Sequence, residues 1–221
     1  MKHKKIIAWI AIFILTGLVL ASFYIATRSP KKSDDNENNL SALSEPIITY
    51  IDPSRGPTDA TITIVEYTDF TCSACQEMAA SILYIQQLLP NDIQHIYKAV
   101  PNDGGNDMAT PSAVAAYCAG NQGKFWEYHD LLFANQSTIS TDLFYSLAGY
   151  LELDNEAFAE CYENNETLPL VQRSYEEALR LNLVATPTVF INEFSYTGAM
   201  STTELELRVR ELLLELTRYE E

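Results

Sequence analysis

Residues 61–75 read Thr-Ile-Thr-Ile-Val-Glu-Tyr-Thr-Asp-Phe-Thr-Cys-Ser-Ala-Cys, an apolar run that ends in two cysteines separated by two small residues. Residues 61–67 are rich in β-branched and aromatic side chains, which predicts a buried strand. Beyond Cys75, apolar residues recur at spacings of three and four as far as Leu89, which predicts an amphipathic helix. The two cysteines are therefore expected at a strand-to-helix turn.

This position suits redox chemistry. Cys72 is expected at or just before the first helical turn, where unpaired backbone N–H groups and the helix dipole favour a thiolate. Cys75 lies on the same side of the helix and can close a disulfide with Cys72 while being less exposed. An attacking thiolate with a resolving neighbour is the minimum machinery for thiol–disulfide exchange. A zinc site is the competing interpretation, but it commonly takes two such pairs, and Cys118 and Cys161 stand singly. We expect no metal and no cofactor.

The distribution of charge argues against a nucleic-acid-binding protein. The 221 residues carry a formal net charge of −16. Six of the 14 basic residues precede Ser33, whereas all 30 acidic residues follow it. The region after Ser33 is thus a poor candidate for binding nucleic acid or an anionic membrane surface.

The N-terminal sequence predicts export. Residues 1–5 are basic, and residues 6–26 carry no charge, a run that as a helix is about 30 Å long and can cross a bilayer. This predicts a single transmembrane anchor with a short cytoplasmic tail and the remainder outside the cell membrane. A signal peptide cleaved after Ala21 is the competing interpretation. In either case the exported part meets an oxidising environment in which disulfides persist.

The remaining chain is predicted to be one folded domain. Residues 27–44 have the composition of a flexible linker, and residues 45–221 form the domain. Strands are predicted at residues 47–51, 61–67, 93–100, 184–191 and 194–197. Between about residues 102 and 184 the pattern is almost wholly helical, and a Ser-Thr-Thr-Glu capping box at residues 201–204 begins a final helix. The first helix and its flanking strands predict a βαβ unit with parallel strands.

Four segments carry a family resemblance. They are Val-Glu-Tyr-Thr-Asp-Phe-Thr-Cys-Ser-Ala-Cys at 65–75, Ala-Ala-Tyr-Cys-Ala at 115–119, Gly-Lys-Phe-Trp-Glu-Tyr-His-Asp-Leu-Leu-Phe at 123–133, and Ala-Thr-Pro-Thr-Val-Phe-Ile-Asn at 185–192. With the order of elements, they resemble the DsbA-like thiol–disulfide oxidoreductases over residues 45–218. The resemblance implies an α/β thioredoxin fold with an inserted helical subdomain.

The resemblance also implies roles for individual residues. Cys72 matches the exposed nucleophile and Cys75 its resolving partner. Pro187 matches a cis-proline that packs against them and whose neighbouring backbone offers an edge to an extended substrate chain, while Thr186 would tune potential and substrate release. Glu66, six residues before Cys72, matches an acid that relays protons to the resolving cysteine. The alternative for Glu66 is an outward-facing, solvated side chain.

The dipeptide between the cysteines departs from the family pattern. Many oxidants of this family have Pro-His there, whereas this chain has Ser73 and Ala74. Without that histidine no imidazolium lies beside Cys72, so the reduced form is expected to be less stabilised than in the strongest oxidants.

Two further cysteines lie on predicted helices of the insertion. Cys118 and Cys161 favour a structural disulfide in an oxidising compartment, with two buried thiols or a second redox pair as alternatives. His129, in one of the matched segments, is expected to pack or cap rather than to catalyse.

The predicted activity is thiol–disulfide exchange on exported proteins that contain cysteines, in the oxidising direction, by a monomeric domain. The resemblance implies reoxidation by a DsbB-like, quinone-linked membrane protein. A reductase or isomerase is the alternative within enzymes. A thioredoxin-fold binding module, with Cys72 and Cys75 as a stabilising disulfide, is the alternative from another class.

Overall fold

The computed structural model describes residues 42–219, together with Thr16 and Leu20. The predicted cytoplasmic tail, nearly all of the predicted anchor (residues 6–26) and most of the predicted linker (residues 27–44) therefore lie outside the described residues. Among the residues that the structure does describe, none of the helices has the length and apolar character that crossing a membrane requires.

The domain is built on a mixed five-stranded sheet. The strands are β1 (Ser54–Arg55), β2 (Ile62–Thr68), β3 (Ile93–Ala99), β4 (Thr188–Ile191) and β5 (Phe194–Thr197). The helices are α1 (Ser73–Leu88), α2 (Ala109–Gly120), α3 (Phe125–Ala134), α4 (Thr141–Tyr150), α5 (Asn155–Glu163), α6 (Leu168–Arg180) and α7 (Thr202–Tyr219), with a 3₁₀ turn at Gln136–Thr138. The strand order is β1-β3-β2-β4-β5, with β2 and β3 parallel and the other pairs antiparallel.

The central strand β2 is buried on both faces, and its alternation divides the core. Ile62 and Ile64 pack with Met78 and Ile82 of α1, whereas Val65 points to the other face and packs with β4 and α6. Successive strand residues point to opposite faces, so Glu66 and Thr68 lie on the α1 face. The predicted parallel βαβ unit is confirmed.

The helices α2 to α6 form the insertion between β3 and β4. Their apolar residues make a separate cluster that includes Tyr128, Phe144 and Phe158. Helix starts follow local capping: the Ser140 hydroxyl accepts from the Leu143 N–H at the start of α4, and an Asp154 carboxylate oxygen caps α5. The predicted α/β thioredoxin-like fold with a helical insertion is thus confirmed.

One predicted strand is absent, and another begins later than predicted. Residues 47–51 form no strand, because the Ile47 N–H is taken by the Glu177 carboxylate (2.9 Å) and the Ile47 carbonyl by the Lys98 ammonium (2.7 Å) instead of by a neighbouring strand. The strand predicted at 184–191 begins only at Thr188. Its first residues form a loop in which Val184 is 90% exposed.

A buried ionic cluster holds the segment before β1 against the sheet. The Lys98 ammonium lies 3.1 Å from Asp52 Oδ2 and 3.0 Å from Glu177 Oε2, and the Lys98 side chain is fully buried. The Tyr67 hydroxyl donates to Glu177 Oε1 at 2.6 Å. Buried charges are tolerated only when they are paired and hydrogen-bonded, so this cluster links β2, β3 and α6 tightly.

Replacing Lys98 should therefore destabilise the domain. In Lys98→Met the Glu177 carboxylate would stay buried without its cation, whereas Asp52 would keep its pair with Arg173, and we expect the free energy of unfolding in a urea titration to fall by about 3 kcal/mol. The matched control is Lys124→Met, which removes a half-exposed pair with Glu127 and should change stability by less than about 1 kcal/mol. Equal effects of the two substitutions would contradict the role given to the cluster.

Candidate active site

Cys72 occupies the N-terminal cap of α1. Its backbone is extended (φ −87°, ψ 120°), and its Sγ accepts a hydrogen bond from the Cys75 N–H at 3.3 Å. The side chain is only partly buried. A backbone donor of the first helical turn is therefore directed at a sulfur that a second molecule can reach.

Cys75 lies behind Cys72 and is fully buried. Burial raises the pKa of the Cys75 thiol well above its ordinary value, and the hydrogen bond with Cys72 and the charge of Cys72 act in the same direction. The Asp69 backbone and the Thr68 side chain lower this pKa and offset only part of the rise. Cys75 therefore holds its proton near neutral pH unless a nearby base removes it.

The loop before β4 completes the redox surface. The Thr186–Pro187 peptide bond is cis, Pro187 is buried, and the Cys72 thiol donates to the Thr186 carbonyl at 3.6 Å. The fold thereby brings together four predicted site residues from two distant parts of the chain: Cys72, Cys75, Thr186 and Pro187.

Side-chain hydrogen bonds hold the turn between β2 and α1. Gln136 Nε2 donates to the Phe70 carbonyl (2.8 Å) and to the Cys72 carbonyl (2.9 Å). The Asp69 carboxylate accepts from the Thr71 N–H at 2.8 Å and from the Asn102 N–H at 2.9 Å. Sequence reasoning missed the Gln136 side chain and the Asn102 N–H, because nothing local marks a group whose partner lies dozens of residues away.

The dipeptide between the cysteines faces outward. Ser73 is exposed and Ala74 is partly buried, so both lie where a bound partner would meet them. Neither side chain can carry a charge at neutral pH, so neither places an imidazolium beside Cys72.

Glu66 is fully buried, and the solvated alternative for its side chain is wrong. Its Oε2 lies 2.9 Å from Nε2 of His95, which is also fully buried. Burial lowers the pKa of His95, although the hydrogen bond and charge of Glu66 oppose this. His95 was also missed, but the alternation of residues 93–97 places it on the same face as Ile93, and a titratable residue on a buried face is the signal that was available.

A groove of about 240 Å³ opens beside the cis-proline loop. Thr186 and Ala185 form one side, and Tyr175 and Leu179 of α6 contribute apolar surface. Leu179 and Tyr175 are 56% and 42% exposed, so the groove offers apolar surface to a partner.

The other two cysteines form a disulfide that joins α2 to α5. Both Cys118 and Cys161 are buried within the insertion. Within residues 42–219, His, Cys, Asp and Glu side chains make no group of three or more that could hold a metal ion.

These features define a class: a thioredoxin-fold protein whose Cys-x-x-Cys pair begins a helix and faces a cis-proline loop. A family model described as thioredoxin matches residues 49–210. The chain belongs to the thioredoxin family.

Solved structures share the fold with its helical insertion. Oxidised BdbD from Bacillus subtilis matches with a TM-score of 0.68 at 21% identity, over 78% of this chain and 98% of that one. The thiol-disulfide exchange protein alpha-DsbA2 from Wolbachia pipientis matches with a TM-score of 0.64 at 19% identity, over 74% of this chain and 88% of that one. The fold that the resemblance implied is thereby confirmed, and the family model shows the thioredoxin family.

The curated relatives that the chain matches include proteins named as Na(+)/H(+) antiporters. The Na(+)/H(+) antiporter NhaA 1 of Salinispora arenicola is 30% identical over 213 residues, which make up 92% of this chain and 31% of the relative. The chain spans between about a quarter and a third of the length of the first curated relatives that it matches.

The two cysteines of the pair should differ sharply in reactivity. With iodoacetamide at about pH 8, we expect Cys72 to be alkylated at least about 100-fold faster than Cys75, because Cys75 is buried and its pKa is raised. Peptide mass spectrometry of a time course measures both rates. Cys72→Ala is the control and should leave the slow labelling of Cys75 as the only modification of the pair. Comparable labelling of both cysteines in the intact protein would contradict the geometry.

Proposed function

We propose that this protein is an extracytoplasmic thiol–disulfide oxidoreductase that oxidises cysteine pairs of exported proteins. The observation that carries the proposal is the Cys72 sulfur, partly exposed, at a helix N-terminus and in contact with the carbonyl that precedes the cis-proline. The Wolbachia neighbour is a thiol-disulfide exchange protein, which is consistent with the proposal.

In the oxidising direction the reaction starts from the Cys72–Cys75 disulfide. A substrate thiolate attacks Cys72 Sγ, a substrate–Cys72 bond forms, and Cys75 leaves as a thiolate that takes up a proton. A second substrate thiolate then attacks the substrate sulfur of this mixed disulfide, and Cys72 leaves as a thiolate. The substrate loses two electrons and gains a disulfide, while the protein becomes a dithiol. Burial disfavours a thiolate at Cys75, so the first step is completed only when the leaving thiolate takes up a proton.

The substrate is proposed to be an extended segment that runs past Thr186 into the groove beside it. The groove shares Thr186 with the surface at Cys72, and its apolar residues suit unfolded chains, whose apolar side chains are still exposed. In such a segment the cysteine would lie opposite Cys72, and apolar neighbours would lie against Tyr175 and Leu179.

Glu66 is proposed to exchange the proton of Cys75. It lies on the α1 face of β2, as does Thr68, whose side chain favours the Cys75 thiolate. Its Oε1 has no hydrogen-bond partner among the described residues, so one oxygen is left to accept or give a proton.

Reoxidation is proposed to use a DsbB-like, quinone-linked membrane protein. The predicted anchor at residues 6–26 would keep the domain close to such a partner, and residues 27–44 would supply reach. A monomer is proposed for the exported domain. The Cys118–Cys161 disulfide is proposed to be structural, because both sulfurs are buried in the insertion.

Substitution of each cysteine should have a distinct outcome. Cys72→Ser should lower the oxidation of a reduced peptide to the rate in buffer, because the attacked sulfur is gone. Mixed with an oxidised peptide, Cys75→Ser should instead accumulate mixed disulfides, visible on non-reducing gels, because the Cys72 thiolate attacks the peptide disulfide and no resolving thiol is left.

The matched control removes the other disulfide, as Cys118→Ala with Cys161→Ala, and should oxidise peptide at the wild-type rate below its unfolding temperature. Substantial oxidase activity in Cys72→Ser would refute the proposed function. Peptide binding without any oxidation or reduction by the wild-type protein would favour a binding module.

The direction of exchange is tested by the reduction potential of the Cys72–Cys75 pair, titrated against glutathione. The dipeptide lacks histidine, so the Cys72 thiolate and with it the reduced form are stabilised less than in the strongest oxidants. We therefore expect a moderate oxidant. A potential near or above about −150 mV fits an oxidant, and one below about −230 mV fits a reductant and would overturn the oxidising direction. Mass measurement of the Cys118–Cys161 bond in each sample keeps the two disulfides separate.

A further inference from the structure

Four titratable side chains lead from the centre of the sheet to the surface. Glu66 Oε2 lies 2.9 Å from His95 Nε2, and His129 Nδ1 lies 2.8 Å from Asp130 Oδ1. The planes of the two histidine rings make an angle of 81°, and the ring centroids lie 6.3 Å apart. Glu66, His95 and His129 are 0%, 0% and 1% exposed, whereas the Asp130 side chain is 37% exposed. The set is thus two carboxylate–histidine pairs arranged end to end, with only the outer end in water.

Each histidine uses one ring nitrogen and leaves the other without a partner. His95 Nδ1 and His129 Nε2 are buried and have no hydrogen-bond partner among the described residues. An unpartnered polar atom inside a protein costs free energy, so two of them on neighbouring rings require an explanation. A water molecule held between the two rings would give both nitrogens a partner. A neutral imidazole accepts a proton at one nitrogen and releases one from the other.

Burial keeps the inner histidine uncharged at neutral pH. Burial is the main cause of the lowered pKa of His95, and His129 and Arg55 act in the same direction against Glu66. At the outer end, burial would raise the pKa of Asp130, but the bond to His129 and the charge of Arg55 hold it below its ordinary value.

Groups from every neighbouring element contribute. Arg55 of β1 pairs with Asp130 at 2.9 Å, and its guanidinium lies over the Trp126 ring of α3 at 4.4 Å. From β3, the ring of Tyr97 packs against His129, and its hydroxyl stays protonated because burial raises its pKa. The outer end is therefore an ionised carboxylate in contact with solvent.

The inner end lies on the same face of the sheet as the redox pair. Glu66 lies opposite Tyr97 in the β2–β3 register, and Tyr97 packs in one cluster with Cys75 and with Phe70, whose ring lies against His129. Glu66 is two residues before Thr68 on the same face of β2, about 7 Å along the strand.

We propose that His95, His129 and Asp130 form a proton relay that connects Glu66, and through it the Cys75 thiol, to the solvent. The inference rests on the function proposed above. When substrate attacks Cys72 and Cys75 leaves as a thiolate, one proton enters at Asp130 and passes through His129, His95 and Glu66 to Cys75. When the pair is oxidised again, one proton leaves by the same groups in reverse. No electrons move along this route.

The test follows the proton transfer in a single turnover. The reduced protein is mixed with dithiobis-nitrobenzoate. Attack by Cys72 releases one thionitrobenzoate, and attack by Cys75 on the resulting mixed disulfide releases a second, so absorbance separates the two steps. His129→Phe keeps a ring at the position and removes both nitrogens. The second release should slow by about tenfold or more near pH 6.5 and approach the wild-type rate near pH 9.5, where hydroxide can deprotonate Cys75 directly.

The first release and the equilibrium constant against glutathione should stay within about twofold of wild type, because a relay changes rates and not end states. The packing control is Trp126→Phe, which alters the ring in contact with both histidines but removes no group of the relay. Its second release should keep the wild-type rate and pH profile.

Asp130→Asn tests the route at a half-exposed position and should slow the second release in the same pH range. This variant provides the test if His129→Phe fails to fold. The proposal is overturned if the folded relay variants keep the wild-type second release near pH 6.5 while Glu66→Gln slows it, or if Trp126→Phe slows it equally. Failure of the wild-type protein to release a second thionitrobenzoate, or to oxidise peptide thiols, would instead count against the proposed function.

Discussion

The pairing of β2 with β4 is the constraint on which the site depends. Tyr67 lies opposite Thr188 in this antiparallel register, so the residue before Thr188 is held at the end of β2 where the chain turns towards Cys72. Pro187 and Thr186 thereby meet the start of α1 although more than 100 residues separate them from it. A slip of one residue would move both the proline loop and every core side chain of β4 to the wrong face. The same hydrogen bonds that hold the sheet together thus define the distance between the sulfur and the loop.

Because β2 is buried on both faces, charged groups lie in the interior. The way in which these groups are paired differs between the two faces. On the α6 side, Lys98, Asp52 and Glu177 satisfy one another, which binds the N-terminal segment to the sheet. On the α1 side, Glu66 and His95 form a pair that leaves one oxygen and one nitrogen without partners among the described residues. A complete network contributes rigidity, whereas an incomplete one near a buried thiol has atoms free to exchange protons.

Much of the fold was predictable because its signals are local. The β-branched run before Cys72, the helical periodicities of the insertion and the capping residues at Ser140 and Asp154 each act over a few residues, and the observed elements agree with them to within a few residues. The failures lie where tertiary contacts replaced a local preference. Residues 47–51 have strand-like composition, but the side chains of Lys98 and Glu177 take the backbone groups that a strand would need. Val184 is apolar and yet exposed, because the cis-proline loop carries it away from the sheet.

By itself, the sequence determined the α/β class, the strand–turn–helix setting of Cys72 and Cys75, and the acidic charge of the region after Ser33, since each of these follows from neighbouring residues. Only the tertiary structure decided that Glu66 is buried, that its partner is His95, and that His129 continues from His95 towards Asp130. These relations join β2, β3 and α3, whose spacing is fixed by the packing of rings such as Phe70, Tyr97 and Trp126. A side chain's protonation and partners depend on the groups that packing brings around it, and no short stretch of sequence contains that information.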